Sequence, residues 1–271
     1  MGQHEVNMLQ HVLLHDFRAA ILRETRISAA LTYGSWTQGE ADEFSDIEFY
    51  LFCERPQDFD LPAFLGTVAP VSLLLRNEFG TVNVLFDRLV RGEFHVEPTS
   101  AIALVASWPE RRIDPDRMLI KDVQGELHRA LTELRARGEA APHRGSELQQ
   151  LWDRFLNWMV FGSGVLLRGE RARAHELLWF VQDILVRLAR LHEHALQHWL
   201  SGKRQLEREI SSQALNRYAA CTGGLGTLER SYVEAWTWGQ ELLSVLQLTY
   251  PVEPHESVLR ALDDRLRAWR H

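Results

Sequence analysis

The apolar positions of the chain follow two different periods, and the change between them lies near residue 118. Before it, short apolar runs bounded by glycine, proline and polar residues predict β-strands. After it, leucine, alanine, arginine and glutamate recur with helical spacing and predict α-helices. We therefore predict an α+β protein of two domains: residues 1–118 form a small mixed sheet with flanking helices, and residues 119–271 form an α-helical bundle.

The individual elements follow from the same patterns. Apolar residues at helical spacing predict an amphipathic helix over residues 6–24. Strands are predicted at residues 27–33, 47–52, 72–77, 81–87 and 90–96, with a hairpin turn at residues 78–80. Helices of the second part are predicted at residues 125–137, 146–167, 171–200, 205–221, 228–248 and 256–269.

The segment 31–52 carries the candidate chemistry. Its first apolar run ends at Gly34 and Ser35, and its second carries Asp46 and Glu48. This order predicts a strand, a turn with a short helix, and a second strand. Because side chains two residues apart on a strand face the same side, Asp46 and Glu48 are expected to project together.

These residue types in this order indicate a phosphoryl-transfer site. Neighbouring carboxylates repel each other, and a hard cation such as Mg²⁺ is the usual partner that offsets the repulsion. Glycine lets the backbone approach a ligand closely, and a serine that enters a helix offers its hydroxyl and N–H groups to a phosphate. We interpret Asp46 and Glu48 as metal ligands and Gly34 and Ser35 as nucleotide-binding residues.

Each motif has a simpler interpretation on its own. Asp-x-Glu is common on solvated strand faces, and Gly-Ser is common in turns. Here the carboxylates lie in an otherwise apolar strand twelve residues after Gly34, and that combination favours the site.

Glu93 is the candidate third carboxylate. On the predicted strand 90–96 it shares one face with His95, whereas Phe94 faces the other way. Taken alone, Glu93 also fits a solvated strand face, and Asp87 is a rival because it too ends a strand. His95 is more simply explained as a structural histidine.

The amino-acid sequences of these motifs resemble those of a known superfamily. Gly-Ser at 34–35 followed by Asp-x-Glu at 46–48 looks like the signature of the nucleotidyltransferases that include DNA polymerase β and the antibiotic-modifying adenylyltransferases. Tyr-Gly-Ser at 33–35, Gly-Glu at 39–40, Ser-Asp-Ile-Glu-Phe-Tyr at 45–50 and Arg-Gly-Glu-Phe-His at 91–95 resemble the lincosamide nucleotidyltransferases more closely, and Arg-Gly-Glu at 168–170 extends the likeness into the second part.

The resemblance implies an enzyme that moves a nucleoside monophosphate from an NTP, ATP or GTP, to a hydroxyl of a lincosamide such as lincomycin or clindamycin. Pyrophosphate would be released and the drug inactivated. Asp46, Glu48 and Glu93 would hold Mg²⁺, and Glu93, with its pKa raised by its carboxylate neighbours, would act as general base. The helical domain would contribute to the acceptor pocket.

Arg168 lies at a helix break and has two interpretations. It would bring a guanidinium to the triphosphate, or it would complement the dipole at the C-terminal end of a helix. The resemblance favours the first interpretation.

Charge and composition limit the partners. The formal net charge of −7 disfavours nucleic-acid binding and suits a cationic small molecule. The N-terminus has no basic region before a long apolar core, and no apolar stretch reaches the ~20 residues of a membrane span, so we expect a cytoplasmic protein without a membrane partner. A homodimer is one assembly that the sequence allows.

Two alternative functions remain at this point. The first is an adenylyltransferase of the same fold that modifies an aminoglycoside or a protein, and the second is a catalytically silent protein that uses the fold for binding. A polycationic aminoglycoside would call for more acidic residues in the acceptor pocket than a lincosamide, which carries one amine.

Overall fold

The structure is a computed structural model that describes residues 9–78, 80–109, 112–139 and 144–270. The chain divides into two compact units, Met1–Ala141 and Pro142–His271. The first is a mixed sheet with helices, and the second is helical, so the predicted α+β class is confirmed.

The first unit alternates helices and strands. Its helices are α1 (Leu9–Arg23), α2 (Ser35–Gln38), α3 (Leu61–Val68), α4 (Ile102–Val105), α5 (Pro115–Met118) and α6 (Glu126–Glu139). Its strands are β1 (Ile27–Thr32), β2 (Ile47–Cys53), β3 (Leu73–Arg76), β4 (Val82–Leu85), β5 (Arg91–Pro98) and β6 (Leu119–Asp122).

Within the described residues, these six strands form one sheet in the order β3-β4-β5-β2-β1-β6. β2 and β5 run parallel, and every other neighbouring pair is antiparallel. The parallel register places Ile47 beside Gly92 and Glu48 beside Glu93. Two segments far apart in the sequence therefore become direct neighbours.

The two faces of the sheet pack against different helices. Ile47, Phe49 and Phe94 are fully buried in a core that includes Phe17 of α1. Phe52, on the opposite face, packs in a second core with residues of β1, α4 and α6. The alternation predicted for β2 and β5 is confirmed, since the residues between these apolar side chains include Glu48 and Glu93.

Local signals explain several element ends. Asp60 caps α3 by accepting a 2.9 Å hydrogen bond from the Ala63 N–H, and Ser211 caps a later helix by accepting from the Ala214 N–H at 3.1 Å. Gly169, with a φ of 80°, follows the helix that ends at Leu167, because glycine adopts the left-handed region at little cost.

The second unit is a helical bundle. Its helices are α7 (Arg144–Leu167), α8 (Arg171–His192), α9 (Leu206–Glu209), α10 (Ser212–Ala220), α11 (Leu228–Leu246) and α12 (Glu256–Leu266). Its core joins buried residues of α7, α8 and α11 and includes Trp152, Phe155 and Trp236, whose rings stack in sequence.

Two predicted boundaries differ from the structure. The first unit continues past residue 118, because Leu119–Asp122 forms β6 on the outer side of β1 and α6 packs against the second core of the sheet. The predicted helix 171–200 ends at His192, where an irregular segment held by the buried Arg190 begins. Residues 6–8 of the first predicted helix and Phe79 of the predicted turn lie outside the described residues.

None of the helices in the described ranges combines the length and the apolar character that crossing a membrane requires.

Close packing of α11 against α7 depends on Gly239. A Cβ atom at this position would lie 2.3 Å from Phe155 Cζ, far inside van der Waals contact. Gly239→Ala should therefore destabilise the protein by about 1–3 kcal/mol through overpacking, measured by urea unfolding followed by tryptophan fluorescence.

Gly164→Ala is the matched control for this substitution. It also lies inside a helix, but its nearest neighbour would be Arg265 Nη1 at 3.9 Å, an ordinary contact. Higher helix propensity should make Gly164→Ala neutral or stabilising by up to ~1 kcal/mol. Equal destabilisation by the two substitutions would contradict the packing explanation.

Candidate active site

In the turn after β1, the backbone of Gly34 lies against the carboxylate of Glu48. Gly34 has a φ of 74°, and a Cβ atom at this position would lie 1.6 Å from Glu48 Oε2. Position 34 thus requires glycine for two reasons, the left-handed backbone and the space that the Glu48 side chain fills.

Hydrogen bonds hold this turn on β2. The Thr32 hydroxyl and the Tyr33 N–H donate to the Glu48 carbonyl at 2.9 and 3.3 Å. The Trp36 indole N–H donates to the Asp46 carbonyl at 2.7 Å, and the Thr37 hydroxyl donates to the Gly34 carbonyl at 2.9 Å. The turn is therefore fixed to the strand that carries the two predicted metal ligands.

Three carboxylates lie on or directly before the paired strands β2 and β5. Glu48 and Glu93 are register partners on the parallel strands, so both side chains lie on the same face. Asp46 directly precedes β2, and its carboxylate and that of Glu93 bond the same guanidinium. The strand pairing therefore places Glu48 beside Glu93, and Arg91 links Glu93 to Asp46.

Arg91 is the guanidinium between the carboxylates. Its Nη1 bonds Asp46 Oδ2, and its Nη2 bonds Asn83 Oδ1 and, at 3.1 Å, Glu93 Oε2. The Arg91 side chain is 38% exposed and those of Asp46 and Glu93 are 33% and 23% exposed, so water reaches all three side chains.

The second oxygen of Glu93 has its own donors. Tyr33 Oη donates to Glu93 Oε1 at 2.9 Å, and His95 Nε2 lies 3.1 Å from the same oxygen. The His95 ring stacks on Tyr50, with centroids 3.9 Å apart and planes 7° apart. Hydrogen bonds and stacking together fix the orientation of the Glu93 carboxylate.

These contacts determine the ionisation of Glu93. Burial favours the neutral carboxyl, but the hydrogen bonds from Tyr33, His95 and Arg91 outweigh it, and the pKa of Glu93 lies below its ordinary value. The expectation of a raised pKa is therefore wrong, because the donors around Glu93 stabilise its charged form. Burial and the nearby Glu48 and Glu93 raise the pKa of Tyr33, which keeps this hydroxyl a donor.

The three carboxylates are chemically suitable ligands for a divalent cation, but their side chains do not converge on a single position. Carboxylate oxygens are the ligands that Mg²⁺ prefers, and three of them share one sheet face. Yet no three His, Cys, Asp or Glu side chains of the described part of the chain stand close enough together to hold a metal ion. The three residues therefore fit the ion in the chemistry of their oxygens, and two of them, Asp46 and Glu93, are paired with Arg91 in this structure.

The remaining predicted residues have different surroundings. Ser35 is buried at the start of α2, next to Gly34. Asp87 lies exposed in a 3₁₀ turn before β5, whereas Glu93 lies inside that strand. Arg168 follows α7 in the second unit, and its side chain is 61% exposed. Its Nη1 atom lies 3.7 Å from Glu170 Oε1. The roles of Ser35 and Arg168 in nucleotide binding stay predictions.

Arg91 and Tyr33 are not among the site residues predicted from the sequence. Arg91 lies two residues before Glu93, and this spacing on a strand places both side chains on one face. That signal was available from the sequence. The contact between Tyr33 and Glu93 was not, because it depends on the order of β1, β2 and β5 in the sheet.

Tyr33→Phe tests the hydrogen-bond set of Glu93. Because the folded-state pKa of Glu93 lies below the unfolded value, its donors stabilise the fold above the unfolded-state pKa, and that stabilisation is lost as the pH falls. Tyr33→Phe should lower the free energy of unfolding by on the order of 1–3 kcal/mol at pH 7 and by less at pH 3, measured by urea unfolding at both pH values.

Tyr50→Phe is the control for this comparison, since it keeps the ring that stacks on His95 and leaves the three donors to Glu93 in place. Its effect on the free energy of unfolding should depend little on pH. A cost of Tyr33→Phe that is the same at pH 7 and pH 3 would contradict the assigned hydrogen bond.

Comparison with known proteins finds a similar family for the second unit. Residues 145–265 match the family model described as "Lincosamide nucleotidyltransferase-like, C-terminal domain". No curated protein sequence matches the chain. A crystal structure of an aminoglycoside 6-adenyltransferase from Bacillus subtilis is similar over 96% of this chain and 97% of that one, at 11% identity and a TM-score of 0.41, values that carry no argument about substrate. The part of the second unit spanning residues 145–265 is therefore similar to the C-terminal domain of lincosamide nucleotidyltransferase-like proteins.

Proposed function

We propose that the protein transfers a nucleoside monophosphate from an NTP to a hydroxyl of a lincosamide antibiotic and releases pyrophosphate. Nucleotidyltransferases of this kind use an NTP and a divalent metal. The observation that supports the proposal is the placement of Glu48 and Glu93 side by side on β2 and β5, with Asp46 linked to Glu93 through Arg91 and with a glycine whose missing Cβ leaves room for Glu48.

Asp46, Glu48 and Glu93 are the residues that would hold Mg²⁺ in this site. Bound there, the ion supplies charge neutralisation to the phosphates and polarises the α-phosphorus. Gly34 and Ser35 would seat the phosphates against the backbone of the turn. ATP and GTP are both candidate donors.

Glu93 is the proposed general base. Its carboxylate is ionised at neutral pH, so it accepts the proton of the acceptor hydroxyl. The acceptor oxygen then bonds to the α-phosphorus, and the bond from the α-phosphorus to the bridging oxygen breaks, with pyrophosphate leaving. Tyr33 and His95 hold one oxygen of Glu93 and leave Oε2 as the atom that takes the proton once Arg91 releases it.

The acceptor is proposed from two observations. The family model of the second unit carries the lincosamide description. The second unit also offers aromatic surface that suits an amphipathic ligand: Trp158 stacks on Phe180 with centroids 4.5 Å apart, and Trp179 is 52% exposed.

An antibiotic panel tests the substrate. With Mg²⁺ and a mixture of NTPs, lincomycin or clindamycin should be consumed with stoichiometric pyrophosphate release, and mass spectrometry should detect the nucleotide adduct. Kanamycin and streptomycin should stay unmodified. An adduct on an aminoglycoside with both lincosamides untouched would overturn the substrate and leave the reaction type standing.

Substitution of the two rival carboxylates tests the base. Glu93→Gln should lower kcat by ~10²-fold or more, because a general base typically contributes that much. Asp87→Asn is the matched control, since it makes the same change of charge at an exposed turn before the same strand. A large loss in Asp87→Asn together with near wild-type turnover of Glu93→Gln would show that Glu93 is not the base.

A further inference from the structure

Arg91 bridges two of the three carboxylates, those of Asp46 and Glu93. It begins β5, and its guanidinium reaches one oxygen of Asp46, one oxygen of Glu93 and the amide oxygen of Asn83. The first two partners belong to the proposed metal ligands. Within the described ranges, Arg91 is the residue that forms an ion pair with Asp46.

The positive charge of Arg91 offsets the electrostatic repulsion between neighbouring carboxylates. Glu48 and Glu93 are register partners on parallel strands, and Asp46 shares the Arg91 guanidinium with Glu93. Carboxylates placed side by side repel unless a cation lies between them. The guanidinium is charged at every relevant pH and donates along several directions at once, so Arg91 supplies that cation from within the chain.

The same contacts compete with a divalent ion. Mg²⁺ and Mn²⁺ bind through carboxylate oxygens, and Arg91 already bonds Asp46 Oδ2 and Glu93 Oε2. A metal ion and the guanidinium cannot share these oxygens at full strength. The long and partly exposed Arg91 side chain, 38% accessible, is able to turn away without moving β5.

We propose that Arg91 is an internal cation that holds the cluster until the metal arrives with the nucleotide, and that it then turns to pair with the triphosphate. This inference rests on the proposed function. Guanidinium groups bind phosphate oxygens as readily as carboxylates, so the nucleotide provides Arg91 with a new partner. The exchange frees Glu93 Oε2, while Tyr33 and His95 keep Oε1 in place. Arg91 is thus a positioning residue that couples metal binding to nucleotide binding.

Metal binding measured without turnover tests the exchange. The free Mn²⁺ signal in electron paramagnetic resonance gives the dissociation constant of Mn²⁺ with and without an α,β-methylene ATP or GTP analogue, which cannot be cleaved. Arg91→Met removes the charge and keeps an unbranched side chain. It should bind Mn²⁺ alone at least tenfold more tightly than the wild type and bind the Mn²⁺–nucleotide analogue at least tenfold more weakly.

Two further variants control the experiment. Arg88→Met makes the same change of charge at an exposed position three residues earlier and should leave both constants within about twofold of wild type. Arg91→Lys keeps the charge but loses the planar fork that bridges two carboxylates, and its affinity for Mn²⁺ alone should lie between those of the wild type and Arg91→Met. If Arg91→Met does not fold, the Mn²⁺ dissociation constants of Arg91→Lys test the proposal in its place.

The outcomes separate the two proposals. If the wild type binds Mn²⁺ with the analogue but neither Arg91 variant binds Mn²⁺ alone more tightly than the wild type, the role of Arg91 is wrong and the proposed function stands. Failure of the wild type to bind Mn²⁺ under either condition would overturn the metal site of the proposed function, and the role of Arg91 with it.

Discussion

The repulsion between carboxylates on β2 and β5 is the constraint on which the first unit depends. Parallel pairing places Glu48 beside Glu93, and the preceding Asp46 joins them through Arg91. The sheet tolerates this arrangement because Ile47, Phe49 and Phe94, on the other face of the same strands, are fully buried. Apolar burial thus fixes the register, and the register brings the charges together.

Donors around the cluster then set its chemistry. Arg91, Tyr33 and His95 all bond Glu93, and their combined effect keeps this carboxyl ionised although it is partly buried. A residue with this charge state is suited to accept a proton at neutral pH. Gly34 completes the arrangement, because any side chain there would displace the Glu48 carboxylate.

Local patterns predicted much of this structure. The strand, turn and strand around Gly34 and the alternation along β5 follow from side-chain periods of two, and the structure confirms both. The family model that matches residues 145–265 agrees with the resemblance. The addition of β6 beside β1, the contact of Tyr33 with Glu93 and the direction of the Glu93 pKa were missed or predicted wrongly. All three depend on pairing between distant segments, which a single sequence does not specify.

The central claim is that the carboxylates of β2 and β5 form the site where metal and nucleotide meet. A crystal of the wild-type protein grown with Mn²⁺ and an α,β-methylene NTP analogue would test it directly through the anomalous difference map. We predict a peak within bonding distance of Asp46 and Glu48, about 2.0–2.3 Å from their oxygens, with the phosphates beside Gly34. A nucleotide bound elsewhere, with no metal peak at these carboxylates, would contradict the claim.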